Sequence, residues 1–170
     1  MLKLALIGCG RIAKRHSELL GLKQIKGAEL VAVCDNVFDK AKKIGLLFDV
    51  PAYADMDEMM QNENIDIAVV LTPSGLHAEH VINLAKYGKD IIVEKPMALT
   101  LDDADTMIEV CDKNFCRLFI IKQNRFNVPV VKLREAHQAK RFGKLILGTV
   151  RVRWARHQQY YDQDDWRGTW

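Results

Sequence analysis

The sequence predicts an α/β protein: a doubly wound parallel sheet followed by the start of an incomplete α+β second domain. Three observations predict it. Short, nearly continuous apolar runs at residues 4–7, 29–34, 67–71, 91–93 and 118–121 are separated by longer segments of helical periodicity. Strands without polar alternation are buried on both faces, as in a parallel sheet covered by helices. After residue 122 the pattern changes to a helix, a stop, and one run in which apolar and basic residues alternate.

The first run leads into Gly8-Cys9-Gly10-Arg11-Ile12-Ala13, then a helical segment, the second run, and Asp35. Each part of this G-x-G-x-x-A element has a physical reason. Gly8 allows the tight turn out of the strand, Gly10 leaves no side chain between backbone and a pyrophosphate, and Ala13 keeps the helix close to the sheet. The helix N-terminus offers unpaired N–H groups and a positive dipole end to phosphate. Asp35, at the end of the second run, can accept hydrogen bonds from ribose hydroxyls and would repel a 2′-phosphate. The combination implies a bound dinucleotide, NAD rather than NADP.

The remaining elements follow in order. A helix is expected over about 37–47, then Pro51-Ala52-Tyr53, and a short helix over 56–61. Strand 67–71 runs into the loop Thr72-Pro73-Ser74-Gly75 and a helix over 77–87; strand 91–93 follows Gly88. Thr100 with Asp103 three residues on resembles a capping box, opening a helix to about Asn114. Strand 118–121 completes the sheet, so residues 1–122 are read as the dinucleotide-binding domain and 123–170 as the beginning of a substrate and oligomerisation domain. In the latter, 128–140 reads as a helix, Phe142-Gly143 as a stop and 145–154 as one strand, with Val150, Val152 and Trp154 alternating with Arg151 and Arg153. A lone strand cannot bury its own face, so its partner is expected from beyond Trp170 or from a second copy in a homo-oligomer.

Composition narrows the function classes. At 49% hydrophobic and 28% charged, the 170 residues have the make-up of a soluble globular protein. No apolar run approaches the roughly 20 residues that span a bilayer, and Met1-Leu2-Lys3 leads directly into a strand, so a cytoplasmic protein without a membrane partner is expected. Cys9, Cys34, Cys111 and Cys116 show no C-x-x-C spacing and read as reduced, buried residues; no metal site is expected. Through Lys122 there are 15 Lys/Arg against 18 Asp/Glu, and from Gln123 onward 10 against 4. A basic tail suits an anionic partner, a solvated face or a subunit contact; nucleic acid is not expected.

In an open α/β sheet the ligand lies beyond the carboxyl ends of the strands. Three features fall there besides the glycine turn. Thr72-Pro73-Ser74-Gly75-Leu76-His77 can line the nicotinamide side of the cofactor, or be an ordinary turn with Ser74 as a helix cap. Glu94-Lys95-Pro96 places a lysine where it can hydrogen-bond a substrate hydroxyl and stabilise charge developing on oxygen, or be a surface lysine before a turn; a cis Lys95-Pro96 bond is possible. Gln123-Asn124-Arg125 emerges from a buried strand as either a site or a plain domain boundary. His16 and His80 read as surface or supporting residues, and His137 and His157 have no evident partner.

Taken as an ordered set, G-C-G-R-I-A, Asp35, T-P-S-G-L-H, E-K-P-M-A-L and K-Q-N-R-F-N resemble the Gfo/Idh/MocA family of sugar and polyol dehydrogenases. The tail, with R-F-G-K at 141–144, G-T-V-R-V-R-W at 148–154 and Q-Y-Y-D through W-R-G-T-W at 159–170, resembles a bacterial subgroup acting on UDP-N-acetyl-2-amino-2-deoxyglucuronate. That resemblance implies NAD-dependent oxidation of a nucleotide-sugar 3-hydroxyl to a ketone, in surface-polysaccharide (lipopolysaccharide) assembly. It places the cofactor on Gly8, Gly10, Arg11, Ile12, Ala13, Asp35, Thr72, Ser74, His77, Glu94 and Lys95, with Gln123 nearby. Lys95 is implied as the catalytic lysine. Asn124, Arg125, Tyr160, Trp166 and Arg167 are implied to face the nicotinamide or the nucleotide sugar.

The sequence also departs from the resemblance. Family members run to about twice this length and carry an Asp and a His, the His as general base, on a helix that would follow the last residue here. Without that base, proton removal falls to Lys95 or water, and such a loss costs about 10²–10⁴ in rate. A chain truncated after its first half is therefore expected to be inactive or impaired while still holding NAD. The alternatives are another sugar or inositol dehydrogenase, and a non-enzymatic NAD-binding or interaction module.

Overall fold

The structure is a computed structural model and describes residues 1–163 and 167–168. The chain divides into two compact units, Met1–Ile121 and Lys122–Trp170.

The first unit alternates strand and helix: β1 (Leu2–Ile7), α1 (Arg11–Gly21), β2 (Ala28–Cys34), α2 (Phe38–Phe48), β3 (Ala52–Tyr53), α3 (Met56–Asn62), β4 (Ile67–Val70), α4 (His77–Ala85), β5 (Asp90–Val93), α5 (Leu101–Lys113) and β6 (Leu118–Ile120). The six strands form one sheet in the order β3-β2-β1-β4-β5-β6, and every pairing is parallel. This is the doubly wound order, with the chain reversing direction across the sheet between β1 and β4.

Apolar residues on both faces of each central strand produce two cores. Along β1, Leu4 and Leu6 join one cluster with Ala13 and Leu20 of α1 and Ala41 of α2. Ala5 and Ile7 join the other, with Met59 of α3, Val81 and Leu84 of α4, and Met107 of α5. The strand period of two thus assigns alternate residues to opposite helical layers. On the helices the matching face has the 3.6 period: α1 buries Ala13, Ser17 and Leu20, and α5 buries Met107 and Cys111. The Thr100 half of the expected capping box forms at α5, Thr100 Oγ1 accepting the Asp103 N–H at 3.1 Å as an N-cap.

Register decides what stands at the carboxyl edge. Ile7 pairs with both Cys34 and Val70, and Val70 pairs with Val93. The next residues of four strands, Gly8, Asp35, Leu71 and Glu94, therefore stand in one row.

The second unit contains α6 (Val128–Gln138) and α7 (Gln158–Tyr161), and none of its described residues is buried. The expected strand over 145–154 is not formed. Ile146 is 91% exposed, Val150 90% and Trp154 74%. A strand exists only through the backbone ladder of a neighbour, and among the described residues none pairs with this segment.

Candidate functional site

The glycine turn is built by close approach as well as by conformation. Gly8 has φ +93°, and a Cβ there would lie 2.8 Å from the Leu71 carbonyl carbon and 2.9 Å from the Thr72 nitrogen. Only a residue without a side chain lets β1 end against the peptide that leaves β4. Gly10 differs: it is the N-cap of α1, no side chain caps it, the first turn carries no acid, and a Cβ there would meet nothing within 4 Å. The helix opens onto free space with its positive end uncompensated, while Ala13 is fully buried against the sheet. These residues fit a dinucleotide pyrophosphate. Arg11 and Ile12, beside the turn, are exposed.

Asp35 is buried at the end of β2 and already holds the turn. Its Oδ2 accepts the Cys9 N–H at 2.7 Å and its Oδ1 the Val37 N–H at 2.8 Å. A carboxylate has about four lone-pair positions, so capacity remains for ribose hydroxyls. Burial, with Asp35 and Cys34 nearby, pushes the Cys9 thiol up to about 12, so this cysteine is a packed side chain and no nucleophile.

The loops after β4 and β5 are joined by one histidine, and a second supports the first loop alone. His77, at the start of α4, is 1% exposed. Its Nδ1 lies 2.7 Å from Pro96 O and its Nε2 2.8 Å from Thr72 O. Thr72 Oγ1 lies 2.9 Å from His80 Nδ1, and burial holds His80 below the ordinary histidine value. Ser74 sits in a short 3₁₀ turn, Ser74–Leu76; the α4 N-cap falls on Leu76 with no side-chain cap, so Ser74 is not the helix cap.

Glu94 is also buried, with Nε2 of His16 3.2 Å from its Oε1 and the Lys95 N–H donated to its Oε2 at 3.1 Å. Burial acts to raise the Glu94 carboxyl, but the His16 and Lys95 hydrogen bonds and charges outweigh it and leave the group below its ordinary value. Lys95 itself is exposed, and the Lys95-Pro96 bond is cis. By sequence His16 is expected to be a surface or supporting residue, and the structure makes it a partner of Glu94. Its spacing of three from Ala13 carried the signal, since that places it beside the buried face of α1.

In the second unit Gln123, Asn124 and Arg125 lie in a short 3₁₀ turn, Gln123–Phe126, and are exposed. Tyr160 has two guanidinium groups over its ring, Arg156 at 4.5 Å and Arg167 at 4.4 Å from the ring centre. Arg167 also donates to Tyr160 O at 2.9 Å. Trp166 lies outside the described residues.

This geometry has known counterparts. The profile of the Gfo/Idh/MocA oxidoreductase family, NAD-binding Rossmann fold, matches residues 2–122. Myo-inositol 2-dehydrogenase of Thermotoga maritima is 35% identical over 144 residues, 84% of this chain and 42% of the relative. WlbA dehydrogenase of Bordetella pertussis, solved with NADH and UDP-GlcNAcA, superposes with a TM-score of 0.92 at 36% identity, covering 98% of this chain and 51% of that one. WlbA of Chromobacterium violaceum, solved with the same two ligands, gives 0.93 at 39% identity over 99% and 49%. The chain thus spans about half the length of the proteins it matches. With the glycine turn, the Asp35 cap and the strand order all in place, the chain belongs to the Gfo/Idh/MocA oxidoreductase family, and residues 2–122 form its NAD-binding Rossmann fold.

Proposed function

We propose that the chain serves NAD-dependent oxidation of the 3-hydroxyl of a UDP-N-acetyl-hexosaminuronic acid to a ketone, in surface-polysaccharide biosynthesis. The observation that carries this reading is the extent of likeness at equal identity. The two WlbA structures match 98–99% of the chain with TM-scores of 0.92–0.93, whereas a Thermotoga maritima dehydrogenase structure, also 36% identical to this chain like the Bordetella WlbA, matches 84% with 0.78. The WlbA match therefore takes in the basic tail, where 10 Lys/Arg stand against 4 Asp/Glu. A diphosphate and a carboxylate call for such cations.

In this reading Gly8, Gly10, Arg11, Ile12 and Ala13 receive the pyrophosphate, and Asp35 the adenosine ribose. Thr72, Ser74, Glu94 and Gln123 border the nicotinamide side. Bound NAD supplies the hydride acceptor. Lys95, exposed at the carboxyl end of β5, donates to the sugar hydroxyl and stabilises the charge that develops on its oxygen. Asn124, Arg125 and Tyr160 receive the nucleotide sugar, and Trp166 and Arg167 face the nicotinamide or the nucleotide sugar.

Inositol oxidation is the second reading, favoured by the 35% identity to the Thermotoga enzyme. Calorimetric titration of the NADH-loaded chain separates the two. UDP-N-acetylglucosaminuronic acid should bind, and Arg167→Ala should weaken it at least tenfold, the effect of losing a charge-assisted contact of about 1.5–3 kcal/mol. Binding of myo-inositol in preference to the UDP sugar would move the assignment to inositol oxidation.

A further inference from the structure

The loop that carries Lys95 and the glycine turn belong to different strands, yet one buried side chain links their supports. Gly8 rests against the Leu71-Thr72 peptide, with a Cβ position 2.8–2.9 Å from its atoms. The carbonyl of Thr72 faces His77 Nε2 at 2.8 Å, and the other ring nitrogen, Nδ1, faces the carbonyl of Pro96 at 2.7 Å, one residue beyond Lys95. Both oxygens can only accept, so the two bonds form together only when both ring nitrogens carry a proton, and a ring with one N–H donates to one carbonyl while its other nitrogen packs against the second. His77 itself is 1% exposed, so water has little access to its ring nitrogens. The ring has no nitrogen left for a ligand, so its part in the site is indirect.

We propose that His77 is a positioning residue: through its bonds to Thr72 O and Pro96 O it sets the distance between the glycine turn and Lys95, and so aligns the lysine with the bound cofactor. This rests on the proposed role of Lys95. His16 holds the same loop from the other side through Glu94, but it contacts the residue before Lys95 and leaves the Pro96 side to His77.

The two bonds can be removed one at a time in the full 170-residue chain. In His77→Asn the amide nitrogen can stand where Nδ1 does and keep the Pro96 bond; in His77→Gln it can stand near Nε2 and keep the Thr72 bond. Two readouts apply: amide hydrogen exchange by mass spectrometry over residues 70–76 and 92–98, and acetylation of Lys95, relative to Lys86, with and without NADH. The expected pattern is reciprocal. Exchange over 92–98 rises about tenfold in His77→Gln and little in His77→Asn, the effect of one lost hydrogen bond, and exchange over 70–76 rises in His77→Asn instead. NADH shields Lys95 from acetylation in the parent, and the shielding weakens in both variants, since either lost bond breaks the link between the glycine turn and Lys95.

Equal exchange behaviour of the two variants over 70–76 and 92–98 overturns the proposal, as does full NADH shielding of Lys95 in both. So does loss of exchange protection in β1 and β4, which would make His77 a residue that holds the sheet and not the loops. If NADH fails to shield Lys95 in the parent while exchange remains reciprocal, the assignment of Lys95 to the reacting carbon falls and the two-carbonyl link stands.

Discussion

At the scale of the residue, the two glycines of the fingerprint do different work, and substitution separates them. Gly8→Ala places a methyl against the Leu71 and Thr72 backbone in a left-handed conformation. It should lower unfolding free energy by about 2–4 kcal/mol in urea titrations. Gly10→Ala meets nothing within 4 Å, so its unfolding should match the parent while NADH affinity, followed by nicotinamide fluorescence, falls at least tenfold as the methyl enters the phosphate's space. The fingerprint glycines and Asp35 were legible in the sequence because their spacing encodes chain geometry. The bonds of Asp35 to Cys9 and Val37, and of His77 to two carbonyls, were not, since a residue string does not state which loops from separate strands will touch.

At the scale of the element, Glu94 and His16 join α1 to the end of β5 across 78 positions of sequence. Because the Glu94 carboxyl is held below its ordinary value, its contribution is full above the ordinary carboxylate range and is lost as pH falls through the lowered, folded-state value. His16→Ala removes the largest contribution that opposes burial and leaves Lys95 alone against it, so the carboxyl should rise toward its ordinary value and the variant should be destabilised by about 1–3 kcal/mol near neutral pH. That deficit should shrink as pH is lowered from about 7 toward about 4 and Glu94 takes up a proton. Urea midpoints of parent and variant across that range test this, and a deficit independent of pH would refute it.

Elements whose residues bury themselves locally were readable: the apolar runs of β1, β2, β4 and β5, and the Thr100 cap of α5, form where the pattern placed them. The segment 145–154, whose second half alternates apolar and basic residues, remains irregular, because alternation specifies a face and not the neighbour that the backbone needs.

At the scale of the whole molecule, every buried residue that the structure describes lies before Lys122. A chain ending at Ile121 should therefore unfold at a urea midpoint close to the parent's and retain NADH binding, and a lower midpoint would show that Lys122–Trp170 contributes to the core. The same shorter chain should be more soluble, having shed Ile146, Leu147 and Val150, each at least 85% exposed. The row formed by Gly8, Asp35, Leu71 and Glu94 draws on four strands that all precede this boundary. Its consequence is modular: a change made after Lys122 leaves untouched the strand register that lines these four residues up, so the row can be held fixed while the later unit is rewritten.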